Sequence, residues 1–138
     1  MATIDSFTSQ HRFLSNFEPA RVTLDGLVYR TVEHAYQAAK TEDFAERSRV
    51  WAAPSAAAAK KLGRRVTLRP DWECVKLGVM EDFLRQKFRY DPLKSQLRAT
   101  GDALLVEGNA WGDTYWGVCC GVGENHLGRL LMKIRAEG

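Results

Sequence analysis

A chain of 138 residues is long enough for one domain with a real core, and 45% hydrophobic residues with four Trp exclude a disordered segment. Its 20 Lys and Arg against 17 Asp and Glu leave a net charge of +3, spread along the chain. That excludes a protein that coats a nucleic-acid backbone, while leaving room for a local basic pocket that takes phosphate.

Residues 3–7 (TIDSF) and 21–30 (RVTLDGLVYR) read as short strands. In the second, Asp25-Gly26 between alternating apolar residues predicts a tight hairpin. Thr31 is suited to cap a helix running to about Lys40, because its hydroxyl can accept from a first-turn amide. A second helix is predicted over about 42–52. Pro54 is suited to the first turn of a third, PSAAAAKKLG, which Gly63 can end in a left-handed cap. The longest helix is expected from near Pro70 through DWECVKLGVMEDFLRQKF, with Val75, Val79 and Phe83, flanked by Met80 and Leu84, at helical spacing. A short helix follows at 92–99, ended by Gly101. ALLVE (103–107) reads as a strand, 108–125 as a Gly/Trp-rich loop, and 126–137 as the last helix. No repeat or linker interrupts the pattern. The expectation is α+β: one predominantly α-helical domain, 1–138, with a small antiparallel β element.

Four segments carry groups suited to chemistry. On the helix 31-TVEHAYQAAK-40, at about 100° per residue, Glu33, Tyr36, Gln37 and Lys40 share one face. The pattern fits an ordinary solvated face. The sharper alternative is a cleft wall on which Glu33 and Lys40, about 10 Å apart, reach opposite ends of one small ligand. His34 falls off that face and reads as structural. In 111-WGDTYWG-117, Asp113 lies in a loop between two Trp, either as an acid, base or ribose ligand beside a stacked base, or as a turn cap next to core tryptophans. In 121-GVGENHLG-128, Asn125 is a good N-cap and Gly128 leaves the first turn bare, so free amides there could receive phosphate beside Arg129. The spacing matches neither a Walker A loop nor a dinucleotide fingerprint. In 12-RFLSNF-17, Arg12, Phe13 and Asn16 have the composition of a base-stacking, phosphate-contacting loop, or of a plain turn. Arg64-Arg65 and Lys87-Phe88 could contribute in the same way.

The cysteines, Cys74 and the neighbours Cys119 and Cys120, form no C-x-x-C, and Glu33-His34 is not H-E-x-x-H. No metal, cofactor or disulfide framework is therefore expected, and the thiols read as reduced, the adjacent pair as structural. Nothing resembles a signal peptide or the run of ~20 apolar residues of a membrane span. The expectation is a soluble, cytoplasmic protein with no membrane contact and no stable protein partner.

Taken in order, FLSNF (13–17), DG-x-x-Y (25–29), TVEHAYQAAK (31–40), LGR (62–64), DW (71–72), M-x-x-x-x-x-x-KF (80–88), TGD-x-x-LVE (100–107), D-x-x-WG (113–117) and N-x-LG-x-x-LM-x-IR (125–135) resemble the YbiA/NADAR family, the domain of NAD- and ADP-ribose-linked proteins. The resemblance runs from about residue 7 to 135. It implies an N-glycosidase acting on ribosylated nitrogen, a reaction that requires no metal if a carboxylate stabilises the developing charge or activates water. The implied substrates are phosphorylated ribosylamino-pyrimidine intermediates of riboflavin synthesis, or ADP-ribosylated guanine in nucleic acid. By position, the implied catalytic residues are Glu33, Lys40 and Asp113. The implied substrate-binding residues are Trp72 and Trp116 with Asn16, Arg64 and Asn125, to which the local patterns add Arg12, Phe13, Gly117 and Gly128. A non-catalytic sensor of ADP-ribose or a nucleotide would use the same aromatic and phosphate-binding features.

Overall fold

A computed structural model describes residues 2–138. In chain order its elements are β1 (Thr3–Ile4), a 3-10 helix (Ser9–Leu14), β2 (Pro19–Leu24), β3 (Leu27–Thr31), α1 (Val32–Ala39), α2 (Phe44–Trp51), α3 (Ala56–Gly63), α4 (Trp72–Lys87), α5 (Leu93–Ala99), β4 (Leu104–Leu105), β5 (Gly108–Asn109), β6 (Val118–Cys119) and α6 (His126–Glu137). The α+β, predominantly helical class follows the sequence expectation. The chain divides into two compact units, one of Asn16–Lys87 and one of the residues up to Ser15 with Phe88–Gly138.

The Asn16–Lys87 unit is built around α1. Strands β2 and β3 pair antiparallel, with Leu24 opposite Leu27 and Val22 opposite Tyr29. Asp25 (φ 48°) and Gly26 (φ 83°) both take left-handed backbone at the turn, as a two-residue hairpin of matching twist requires. Alternation puts Val22 and Tyr29 inside, at 0% and 1% exposure. Thr31 ends β3 and caps α1, its hydroxyl accepting from the His34 amide at 3.0 Å. Asp43 caps α2 by accepting from Glu46 N.

Helix α3 departs from expectation at both ends. Pro54 lies ahead of the helix and not in its first turn, and Ser55 is the cap: extended backbone (φ −152°) lets its hydroxyl accept from Ala58 N. Gly63 is the last helical residue and Arg64 follows in right-handed helical conformation, so no left-handed cap forms there. All eight residues of α1 are buried, and it packs on α2, α3, α4 and both hairpin strands. Ala35, Ala38 and Ala39 make this possible, since a small side chain lets neighbouring helices approach.

Helix α4 buries Trp72, Met80, Phe83, Leu84 and Lys87, while Val75 and Val79 are only half-buried. The inward stripe is therefore rotated from the one expected. Lys87, offered by the sequence as a possible phosphate contact, is 3% exposed, and burial lowers its amine from 10.5 to about 7, opposed only in part by Glu18. Unfolded, the amine stays charged up to its ordinary value, so between about pH 7 and pH 10.5 the unfolded chain binds a proton that the folded chain does not. Stability from this group is thus greatest above the unfolded value and falls as pH drops toward 7. Urea unfolding should show wild-type protein gaining roughly 2 kcal/mol between pH 7 and pH 9, a gain that Lys87→Met removes.

In the other unit, β1 pairs with β4 and β5 with β6, each a two-residue parallel ladder. These parallel pairs were not anticipated. The expected strands 3–7 and 103–107 shrink to two residues each because only Thr3↔Leu104 and Ile4↔Leu105 pair. Helix α6 packs on β4, and α5 packs on the 3-10 helix. No helix among the described residues is long and apolar enough to cross a membrane.

Candidate active site

The polar face of α1 is the centre of the Asn16–Lys87 unit, and it is not solvated. Glu33 is 8% exposed, Tyr36 6% and Gln37 4%, with Lys40 half-buried at its end; His34, off that face, is 2% exposed. Buried polar groups must find partners or be kept for use. His34 has its partners: Nδ1 lies 2.7 Å from the Thr31 hydroxyl and Nε2 3.1 Å from the Ala53 carbonyl. A carbonyl only accepts, so Nε2 carries the proton and Nδ1 accepts from Thr31. Burial lowers the His34 pKa, outweighing the Ala53 bond that raises it, so the ring is held neutral as a structural tie. The Arg30 guanidinium also donates to the Ala53 carbonyl.

Glu33 occupies the first turn of α1, where the helix dipole favours a carboxylate. Its amide donates to the Asn16 carbonyl at 3.1 Å, and its Oε2 accepts from Gln37 Nε2 at 2.5 Å. Asn16 aims Nδ2 at Met80 Sδ at 3.6 Å, and its Oδ1 is buried without a partner.

Two turns on, Lys40 is the C-cap of α1. Its carbonyl accepts from Arg69 N at 2.7 Å, which ties the end of the helix to the segment after α3. Next to it, the Thr41 hydroxyl donates to Glu46 Oε1 at 2.6 Å, and Glu46 also accepts from Thr67 N, holding the two segments together. The Lys40 amine lies 5.6 Å from the centroid of the Tyr36 ring, in cation–π range. Tyr36 in turn packs on Trp72, ring centroids 5.1 Å apart. Burial lowers the Lys40 pKa first of all; Glu33 pulls it back up, and Arg64, Lys60 and Lys76 push it further down. Asn16, Glu33, Lys40, Arg64 and Trp72 thus gather within one unit, joined by Gln37, Lys60 and Lys76. The sequence reading did not assign these last three to the site. Only the positions of Gln37 and Lys40 on one helical face hinted at the first.

Arg12, Phe13, Asp113, Trp116, Gly117, Asn125 and Gly128 belong to the other unit. Arg12 is exposed and Phe13 is buried. Asp113 behaves as a loop cap: Oδ1 accepts from Tyr115 N at 3.1 Å and from Trp116 N at 2.9 Å. Asn109 closes the same loop, its Nδ2 donating to the Asp113 carbonyl and its Oδ1 accepting from Asp113 N. Trp116 lies edge-on to Tyr115, which packs on His126. Trp111 is 62% exposed, so it is no core residue.

The phosphate seat expected at the start of α6 is not built. The His126 and Leu127 amides already donate to the Tyr115 and Trp116 carbonyls. Asn125 has left-handed backbone (φ 55°) and caps nothing. Its side chain instead donates to the Leu105 carbonyl at 2.9 Å and accepts from Glu107 N at 3.0 Å. A Cβ on Gly128 would lie 2.1 Å from the Leu105 carbonyl oxygen, and one on Gly117 1.9 Å from Glu107 Oε2. Both glycines are there for close approach. A surface hollow of about 250 Å³, lined from Thr3 to His11, holds none of the residues singled out from the sequence.

All three cysteines are free thiols; Cys119 and Cys120 are 3.8 Å apart at sulfur, and Cys74 and Cys120 are exposed rather than buried. Among the described residues no group of three or more His, Cys, Asp or Glu is placed to hold a metal ion.

This geometry has relatives. The chain is 40% identical over 127 residues to the protein named N-glycosidase YbiA of Escherichia coli, covering 89% of this chain and 79% of that one. It is 40% identical over 132 residues to an N-glycosidase of Nostoc punctiforme, covering 89% and 83%. A riboflavin biosynthesis protein of Vibrio vulnificus is 40% identical over 131 residues, but the chain spans only 35% of its length. The solution structure of Escherichia coli YbiA superposes with a TM-score of 0.85 at 38% identity, covering 99% of this chain and 86% of that one. The NADAR domain family model matches residues 4–137, across both units, and the chain belongs to the NADAR domain family.

Proposed function

We propose that this protein is an N-glycosidase that hydrolyses the C–N bond between a phosphorylated ribose and a nitrogenous base, without a metal. The observation that carries this reading is the burial of α1, which holds the Glu33 carboxylate out of water and ends in the half-buried, partly desolvated Lys40 amine. Desolvation strengthens the action of both on a developing charge. Relatives named N-glycosidase and riboflavin biosynthesis protein support a glycosidase of that pathway, and the substrate class we assign is its ribosylamino-pyrimidine phosphates.

Opening of the ribosylamine ring moves a proton to the ring oxygen and leaves a C=N bond to the base. The neutral Lys40 amine adds to that carbon. Its two protons then pass in turn to the base nitrogen, with Glu33 as the carrier: the first gives the neutral aminal, and the second goes as the carbon–base bond breaks. The base leaves as an amine and the sugar stays on Lys40 as an imine. Water adds to the imine and releases ribose phosphate, restoring Lys40. Arg64, Lys60 and Lys76, which lower the proton affinity of Lys40, also suit a phosphate. Trp72 and Tyr36 offer ring faces for the base. Asp113, through its loop cap, sets the position of Trp116.

The test incubates purified protein, in EDTA, with a ribosylamino-pyrimidine phosphate and separately with guanine-ADP-ribosylated DNA. Release of ribose phosphate from the first is expected. Release of ADP-ribose from the second alone moves the substrate to nucleic acid. Binding with release from neither makes the protein a sensor and overturns the enzyme reading.

A further inference from the structure

Gln37 is a buried polar residue with an unusual balance of contacts. Its Nε2 donates to Glu33 Oε2 at 2.5 Å, while its Oε1 is buried and has no hydrogen-bond partner. Opposite that oxygen stands Gly63: a Cβ there would lie 1.9 Å from Gln37 Oε1 and 2.6 Å from Gln37 Cδ. The amide oxygen fills the space that any other residue at 63 would need. Turning the amide over would set its oxygen against a carboxylate oxygen at the same short distance, two acceptors facing one another, so the amide presents its donor to Glu33.

An unpartnered buried oxygen is costly, and an apolar side chain such as Met would fill the same volume without it. The residue is therefore explained by its donor and not by packing. We propose that Gln37, seated against Gly63, is a positioning residue that holds the Glu33 carboxylate in its working orientation. The inference rests on the proposed role of Glu33. It also accounts for Gly63, which is neither a left-handed cap nor the start of a turn.

The experiment measures kcat and KM for release of ribose phosphate from a ribosylamino-pyrimidine phosphate. Gln37→Met, which keeps the volume and removes the donor, should lower kcat about ten- to a hundredfold with KM within about twofold. Gly63→Ala, which displaces the amide from the other side and leaves both polar groups in place, should lower kcat in the same way. The double variant Glu33→Gln with Gln37→Met should be no slower than Glu33→Gln alone, since a group acting only through Glu33 has nothing left to position. Melting temperatures accompany each variant, and if Gln37→Met does not fold, Gly63→Ala decides. Wild-type kcat in the folded Gln37 variant, or losses that multiply in the double variant, overturns the inference while the role of Glu33 stands. Wild-type kcat in Glu33→Gln overturns that role and the inference with it.

Discussion

Lys40→Met should cut base release at least about a thousandfold while the protein stays folded, because it removes the group that carries the sugar through the reaction. The amine sits at the end of a wholly buried helix, above the Tyr36 ring, and desolvation with nearby Arg64, Lys60 and Lys76 lowers its pKa. Glu33 works in the opposite sense and keeps the shift from growing. A nucleophile must be neutral, so a lowered pKa enlarges the reactive fraction near neutral pH. The rate is then low at acid pH, where the amine is charged, and rises to a plateau with a midpoint below the ordinary 10.5.

Lys40→Arg separates the two roles this residue can play. Guanidinium keeps its charge at any working pH, so a cation that merely held phosphate would be replaced by it in large part. Equal inactivity of the Arg and Met variants is expected. Borohydride added during turnover should leave a ribose phosphate adduct on the wild-type protein, located by mass to the peptide that contains Lys40. An active Arg variant with no adduct would reduce Lys40 to a charge holder.

Glu33→Gln should lower kcat by about a hundred- to ten-thousandfold, the usual range for loss of a proton carrier. The substitution preserves shape, and the Asn16 carbonyl still accepts from the amide of residue 33, so the hairpin-to-helix junction survives. What disappears is the charge at the first turn of α1. Thermal unfolding should therefore move little, because the same substitution also removes the need to bury an ionised group. Full turnover in a folded Glu33→Gln protein would assign the proton transfer to another group.

Much of this was legible from local chemistry. The Asp25-Gly26 hairpin and the Thr31 cap follow from backbone preferences and short-range hydrogen bonds, and the structure has both. Helix α4 was legible in extent but not in facing: periodicity pointed to Val75 and Val79, and the structure turns Trp72, Met80 and Lys87 inward. A weakly segregated pattern leaves the buried side to whatever surface the helix meets. The family motifs placed Glu33 and Lys40 on one helix, although the same helix read alone fits a solvated surface.

Three outcomes needed the tertiary structure. The first is that the polar face of α1 is buried, which depends on helices and strands far away in sequence closing over it. The second is that the residues before α6 spend their hydrogen bonds on loop carbonyls and on the Leu105–Glu107 backbone, so that a phosphate seat suggested by Asn125 and Gly128 is already filled by the chain. The third is that Gly63 makes room for Gln37. By itself the sequence determined the order and kind of the main elements and the family, since these rest on local propensity and spaced motifs. Which polar groups face water, which face one another and which glycines mark close approach were decided only by packing, because each is a relation between segments that no single stretch contains.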